Sequence, residues 1–199
     1  MPSISLGLDG LPRESLILIE EELGDAKRIF IQMLGAEGIR QNKKIVYITD
    51  RSREEVYRQA APYGLKEVGQ FEIVEKYNDG SRLYEVCTGD LCLIDGFSHM
   101  NLDANGKHMV TRLHNLRNMC NQGRIIVITS DMGVLPKREE STTRALVDGI
   151  IQFTTQKGED HITYCVYIPK MRGLSPSEKF TPFKIAETGI SIDTRERFT

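Results

Sequence analysis

A lysine at the head of a helix, reached from a buried strand through a glycine-containing loop, can hold phosphate, and residues 16–30 (LILIEEELGDAKRIF) offer such an arrangement. Leu16, Ile17, Leu18 and Ile19 form an uninterrupted apolar run, the mark of a strand covered on both faces. From Ala26 onward Ile29, Phe30, Met33 and Leu34 recur at helical spacing, so the period changes across the loop that carries Gly24. Free backbone N–H groups and the positive end of a helix dipole converge at such a junction, and Lys27 stands where a phosphate-binding lysine is wanted. A second candidate is Asp95, which ends the apolar run LCLI. An acid at the carboxyl end of a buried strand faces the crevice where open α/β sheets bind ligands.

The loop keeps only one of the four specified positions of the phosphate-loop pattern G-x-x-x-x-G-K-[ST], which meets Glu21, Ala26, Lys27 and Arg28. Glu21 brings a side chain and a charge to a tight turn, and Ala26 adds a Cβ where backbone would approach phosphate. Arg28 replaces a magnesium-binding hydroxyl with a permanent cation. Two readings follow. In one, the stretch is a strand and a capped helix without a ligand: Asp25 satisfies the free N–H groups and Lys27 lies on the helix surface. In the other, Lys27 and Arg28 draw in a nucleotide without magnesium, against repulsion from Glu22 and Asp25.

The elements that must position these residues fall in a clear order. A helix is predicted from Lys27 to about Ile39, a strand over Lys44 to Ile48, and a helix over Arg53 to Ala61 with Ser52 and Glu55 as its capping box. Phe71 to Val74 reads as a short strand, Leu91 to Ile94 as a buried one, and Lys107 to Asn121 as an amphipathic helix. Between the last two, Phe97 to Asn105 reads as a loop or short helix, while Glu85 to Cys87 is too short to assign. Arg124 to Thr129 is a core strand, and Asp131 to Ser141 a polar loop. Gly149 to Thr154 with His161 to Ile168 forms a hairpin around Gln156 to Asp160, and Phe183 to Ile185 with Ile190 to Ile192 a second one. The fold class is therefore α/β, a mostly parallel sheet flanked by helices with an antiparallel meander at one edge.

The length of 199 residues predicts one domain over 1–199, with its core at about 10–194. A net charge of -2 gives no general reason for nucleic-acid binding. Arg112, Arg117 and Arg124 lie close in sequence but lack the interleaved aromatics of a stacking surface. No run of 18 apolar residues and no signal-peptide pattern is present, so a cytoplasmic protein without membrane insertion is expected. The four cysteines and four histidines show no zinc-site spacing, and the thiols are expected to be reduced.

GLPRESLILIEEELGDAK, KIVYITD, LCLIDG, VDGIIQF, YIPKMRG and PFKIAETGISI, in that order, resemble the RecA-like ATPase domain of the KaiC family, many of whose members are archaeal. The resemblance implies a P-loop NTPase fold with a degenerate Walker A loop. In it Lys27 keeps the phosphate lysine, Ala26 and Arg28 lose the glycine and the hydroxyl, and Asp95 is the Walker B carboxylate, a metal ligand only if magnesium binds. It implies a general base that is absent or shifted to Asp50, since the segment after the second strand reads Thr49-Asp50-Arg51-Ser52. It also implies that Lys170 and Arg172 reach toward a nucleotide held by a neighbouring subunit. The degenerate nucleotide site then comprises Gly24, Lys27, Arg28, Asp95, Lys170 and Arg172. The expected function is regulatory or signalling, through binding to a homo-oligomeric partner, a KaiC-like ATPase relative or another protein, with no cofactor. The alternatives are an ATP- and magnesium-binding protein or weak ATPase with an unusual loop, and a nucleic-acid accessory protein.

Overall fold

The computed structural model describes residues 7–22, 24–158, 161–174 and 179–192. The tip of the first predicted hairpin and the outermost parts of the single-domain span lie outside the described residues. Among the described residues nine strands form one sheet: β1 (Leu16–Glu21), β2 (Ile45–Thr49), β3 (Glu72–Val74), β4 (Leu91–Asp95), β5 (Ile125–Asp131), β6 (Gly149–Lys157), β7 (Ile162–Met171), β8 (Thr181–Ala186) and β9 (Gly189–Ile192). Their order is β3-β2-β4-β5-β1-β6-β7-β8-β9. Neighbours from β3 to β6 pair in parallel and those from β6 to β9 in antiparallel, the mixed sheet expected from the sequence. The helices are α1 (Ala26–Arg40), α2 (Arg53–Ala60), α3 (Leu83–Val86), α4 (Phe97–Met100), α5 (Gly106–Cys120) and α6 (Lys137–Leu146). None among the described residues is long and apolar enough to cross a membrane.

β1 lies between β5 and β6, fully buried, and the alternation of its side chains separates two cores. Ile17 and Ile19 face α1 and α2 together with Phe30, Ile31, Leu34, Tyr47, Leu93, Val127 and Phe153. Leu16 and Leu18 face α5 together with Ile94, Met109, Leu113, Leu116 and Ile128. By the same alternation Glu21 falls on the α1 face and Glu20 on the other, where Arg144 of α6 binds it with Nε at 3.0 Å.

Two assignments need correction. The stretch read as a polar loop over 131–141 ends β5 at Asp131 and then starts α6 at Lys137. α6 is polar enough to hide its period, since Glu139 and Thr143 are among the residues it buries. The unassigned residues near Glu85 belong to α3. The capping box of α2 forms as expected, with Ser52 N donating to Glu55 Oε2 at 2.8 Å.

α1 approaches the sheet closely because Gly35 has no side chain. A Cβ there would lie 2.9 Å from Leu93 Cδ1 and closer still to Phe71 Cζ. Gly35→Ala is expected to destabilise the domain by about 1–2 kcal/mol, overpacking outweighing the gain in helix propensity. Urea unfolding checks this; a stability at or above that of the parent would contradict it.

Candidate functional site

The loop between β1 and α1 is closed by its own charges. Glu21 Oε2 accepts the Lys27 backbone N–H at 3.1 Å, filling the place at the helix start where an anion would sit. Asp25, expected to cap this helix, makes no side-chain cap bond, because it stands at the N-cap position with φ -114° and ψ 7° and turns to Arg28 instead. The Lys27 side chain is only 1% exposed, which excludes a helix-surface position. Its ammonium lies 2.7 Å from Asp131 Oδ1 and 3.6 Å from Glu21 Oε2, and it donates to Gly24 O at 3.1 Å. Gly24 has φ +134°, a conformation that L side chains rarely adopt, so the backbone requires glycine here.

One residue further on, Arg28 spans the crevice to β4. Its Nε donates to Asp95 Oδ1 at 3.1 Å and its NH1 to Asp25 Oδ1 at 2.7 Å. Asp95 is itself buried and fixed from the sheet, with Tyr47 OH donating to Oδ2 at 3.0 Å and Thr129 Oγ1 lying 3.3 Å from Oδ1. Thr129 Oγ1 also accepts the Gly96 N–H at 2.8 Å, holding the turn after β4, where Gly96 has φ +91°. β2, β4 and β5 thus all contribute to one hydrogen-bonded group beneath Arg28.

Three of these residues escape sequence reasoning. Asp131, Tyr47 and Thr129 are neither motif residues nor neighbours of Lys27 in sequence. The signal for Asp131 is weaker than that for Asp95, since Thr129 and Ser130 separate it from the apolar run of β5. Asp50 is exposed beyond β2, with Oδ1 3.8 Å from where a Cβ on Gly96 would stand, so it lies near the Asp95 turn.

Lys170 and Arg172 are not brought to Lys27 within the chain, nor are they simply solvated. Lys170 Nζ donates to the carbonyls of Arg144 and Ala145 at 3.2 and 2.9 Å, at the carboxyl end of α6. Arg172 NH1 donates to Asp148 Oδ1 at 3.3 Å and NH2 to the Arg13 and Glu14 carbonyls at 2.5 and 3.1 Å. Asp148 also accepts the Leu16 N–H at 3.0 Å, so Arg172 belongs to a clamp at the amino end of β1. The three arginines considered for nucleic acid are engaged as well. Arg112 binds Asp103 at 2.9 Å, Arg117 binds Asp148 at 2.6 Å, and Arg124 donates to Gln122 Oε1 at 2.5 Å. Cys87, Cys92, Cys120 and Cys165 are free and buried.

Burial shifts these charges unequally. It pushes the Glu21 carboxyl above its usual range, because the Lys27 N–H and ammonium only partly offset the desolvation. Burial also works against the Asp131 carboxylate, but the Lys27 hydrogen bond and charge, with Arg28 and His99 behind them, hold its pKa below the usual value. For Arg28 the neighbouring Asp95 and Asp25 outweigh burial and raise the pKa further. Arg28 is therefore a fixed cation with donors only and cannot ligate a metal.

Because the Asp131 pKa is depressed on folding, its contribution is present above the ordinary value near 3.8 and is lost as the pH falls through the folded value. Asp131→Asn leaves a buried ammonium with only the more distant Glu21, and is expected to cost about 3 kcal/mol at pH 7. In urea unfolding the difference from the parent should narrow as the pH falls below about 4. A gap that stayed constant into acid, or a neutral substitution at pH 7, would contradict the assignment.

Three comparisons bear on this geometry. A family model described as ATPase: KaiC matches residues 85–197. No curated protein matches the chain. Among solved structures, the flagellar accessory protein FlaH from Methanocaldococcus jannaschii superposes with a TM-score of 0.79 at 16% identity, covering 94% of this chain and 92% of that one. The KaiC-like protein PH0186 from Pyrococcus horikoshii OT3 superposes with a TM-score of 0.75 at 20% identity, covering 92% and 91%. These likenesses establish the RecA-like fold. The matched family segment takes in the Asp95 strand, the Asp131 strand and the C-terminal meander, and on that match the chain belongs to the KaiC ATPase family.

Proposed function

We propose that this chain is a KaiC-family domain that does not hydrolyse ATP and acts by binding other proteins, as a homo-oligomer or as a regulatory subunit of another protein. The observation that carries this reading is the Arg28–Asp95 ion pair at 3.1 Å. Phosphoryl transfer requires a correctly held metal and an activated water. Arg28 puts a guanidinium against the carboxylate that would face the metal, and it supplies no hydroxyl in compensation. The Lys27 N–H and ammonium, which would hold phosphate oxygens, already serve Glu21 and Asp131. The residues present therefore do not fit a magnesium-bound triphosphate, and internal charges supply the neutralisation that such a ligand would bring.

Neither Asp50 nor Arg51, the residues after β2, suits the water-activating role. Arg51 cannot accept a proton at neutral pH, and Asp50 is exposed to solvent rather than held by a fixed neighbour that would orient it. Since Lys170 and Arg172 are bonded within the chain, a subunit contact through them would first have to break those bonds.

Calorimetric titration with ATP and ADP, with and without magnesium, tests this reading. The parent chain is expected to show no magnesium-dependent binding and no turnover. The triple substitution Glu21→Gly, Ala26→Gly and Arg28→Thr is expected to gain magnesium-dependent nucleotide binding by reopening the loop. Stoichiometric magnesium–ATP binding by the parent, abolished by Lys27→Ala, would overturn the proposal.

A further inference from the structure

On the α1 face, a cavity of about 190 Å³ opens between the carboxyl end of β1 and the β6–β7 hairpin. Glu21 and Glu22 supply its negative charge, Thr155, on the same face of β6 as Phe153, a hydroxyl, and Ile162 and Tyr164 its outer apolar wall; among the described residues no lysine or arginine lines it. The aromatic wall is fixed from within. Ring centroids step outward from Phe30 to Phe153 at 5.5 Å, from Phe153 to Phe183 at 5.2 Å and from Phe183 to Tyr164 at 5.9 Å. This ladder anchors Tyr164 while leaving it 54% exposed, with Ile162 59% exposed two residues away.

The charge at the cavity is incompletely matched. Glu21 is 6% exposed, yet Lys27, its nearest cation, lies almost an ångström closer to Asp131. Burial accordingly raises the Glu21 pKa, the sign of a carboxylate short of positive charge. Glu22 adds a second, exposed carboxylate beside it. An anion would be repelled here, and a neutral ring would leave the charge uncompensated.

We propose that this cavity receives an arginine side chain from a partner protein, its guanidinium against Glu21 and Glu22 and its plane and stem against Tyr164 and Ile162. The inference rests on the reading of the domain as a protein-binding one and names the chemistry of the partner. Arginine fits better than lysine because its planar fork can bond carboxylates and hydroxyls together while stacking on an aromatic face.

Nitrogen-15 NMR titration of the full chain with Nα-acetyl-arginine amide tests the assignment, with Nα-acetyl-norleucine amide and adenosine in parallel. Saturable shifts are expected at the amides of Thr154, Thr155 and Tyr164 with the arginine probe alone. Glu22→Gln and Tyr164→Ala, both at exposed positions, should each weaken them about tenfold, while the spectrum itself reports that the variants remain folded. Absence of saturable shifts, equal shifts with norleucine amide or adenosine, or affinities unchanged in both variants would overturn the proposal. Magnesium–ATP binding at Lys27 would register on residues 24–28 instead, so failure of the functional reading is separately visible.

Discussion

A lysine ammonium almost wholly removed from water must have its charge met at all times, and that requirement governs the loop between β1 and α1. Here Asp131 meets it at 2.7 Å, from the end of the neighbouring strand, and Glu21 adds a second carboxylate at 3.6 Å. Arg28 imposes the same requirement one position later and is answered by Asp95 and Asp25. Removing Asp131 leaves the buried ammonium with only the more distant Glu21, and removing Asp95 leaves Arg28 with only the exposed Asp25; a buried charge that loses a partner is destabilised by on the order of a few kcal/mol.

This arrangement depends on the sheet as much as on the loop. The acids stand at the carboxyl ends of β5 and β4, and parallel pairing puts those ends beside Lys27 and Arg28. Tyr47 on β2 and Thr129 on β5 then fix Asp95, so Arg28 meets a carboxylate already held in place. Gly35 lets α1 lie close on the sheet, against Phe71 and Leu93. The loop's chemistry is therefore a property of the whole parallel half of the sheet. The Lys170 and Arg172 contacts belong instead to α6 and to the amino end of β1.

Much of this was legible from residues alone. The runs LILI and LCLI could only be covered strands, and Ser52 with Glu55 announced the start of α2. Asp95 was readable as a candidate site residue because an acid ends a buried run there, whereas its pairing with Arg28 is decided only by the fold. What sequence could not supply was partner choice across strands. Asp25 is adjacent to the helix and looks like its cap, but side-chain alternation aims Glu21 at the helix start instead. Asp131 was hidden because strand β5 runs two residues past its apolar core, and α6 because its buried face is largely polar. The burial of Lys27 was unreadable for the same reason: Asp131, the acid nearest its ammonium, is remote in sequence.

On the proposed reading, charges within the chain do at this loop what a triphosphate and its metal would otherwise do. A crystal structure grown with excess magnesium and a non-hydrolysable ATP analogue tests this most directly. Arg28 is expected to remain on Asp95 and Lys27 on Asp131, with no analogue in the loop. An ordered magnesium–nucleotide complex seated on Lys27, with Arg28 swung away from Asp95, would contradict it.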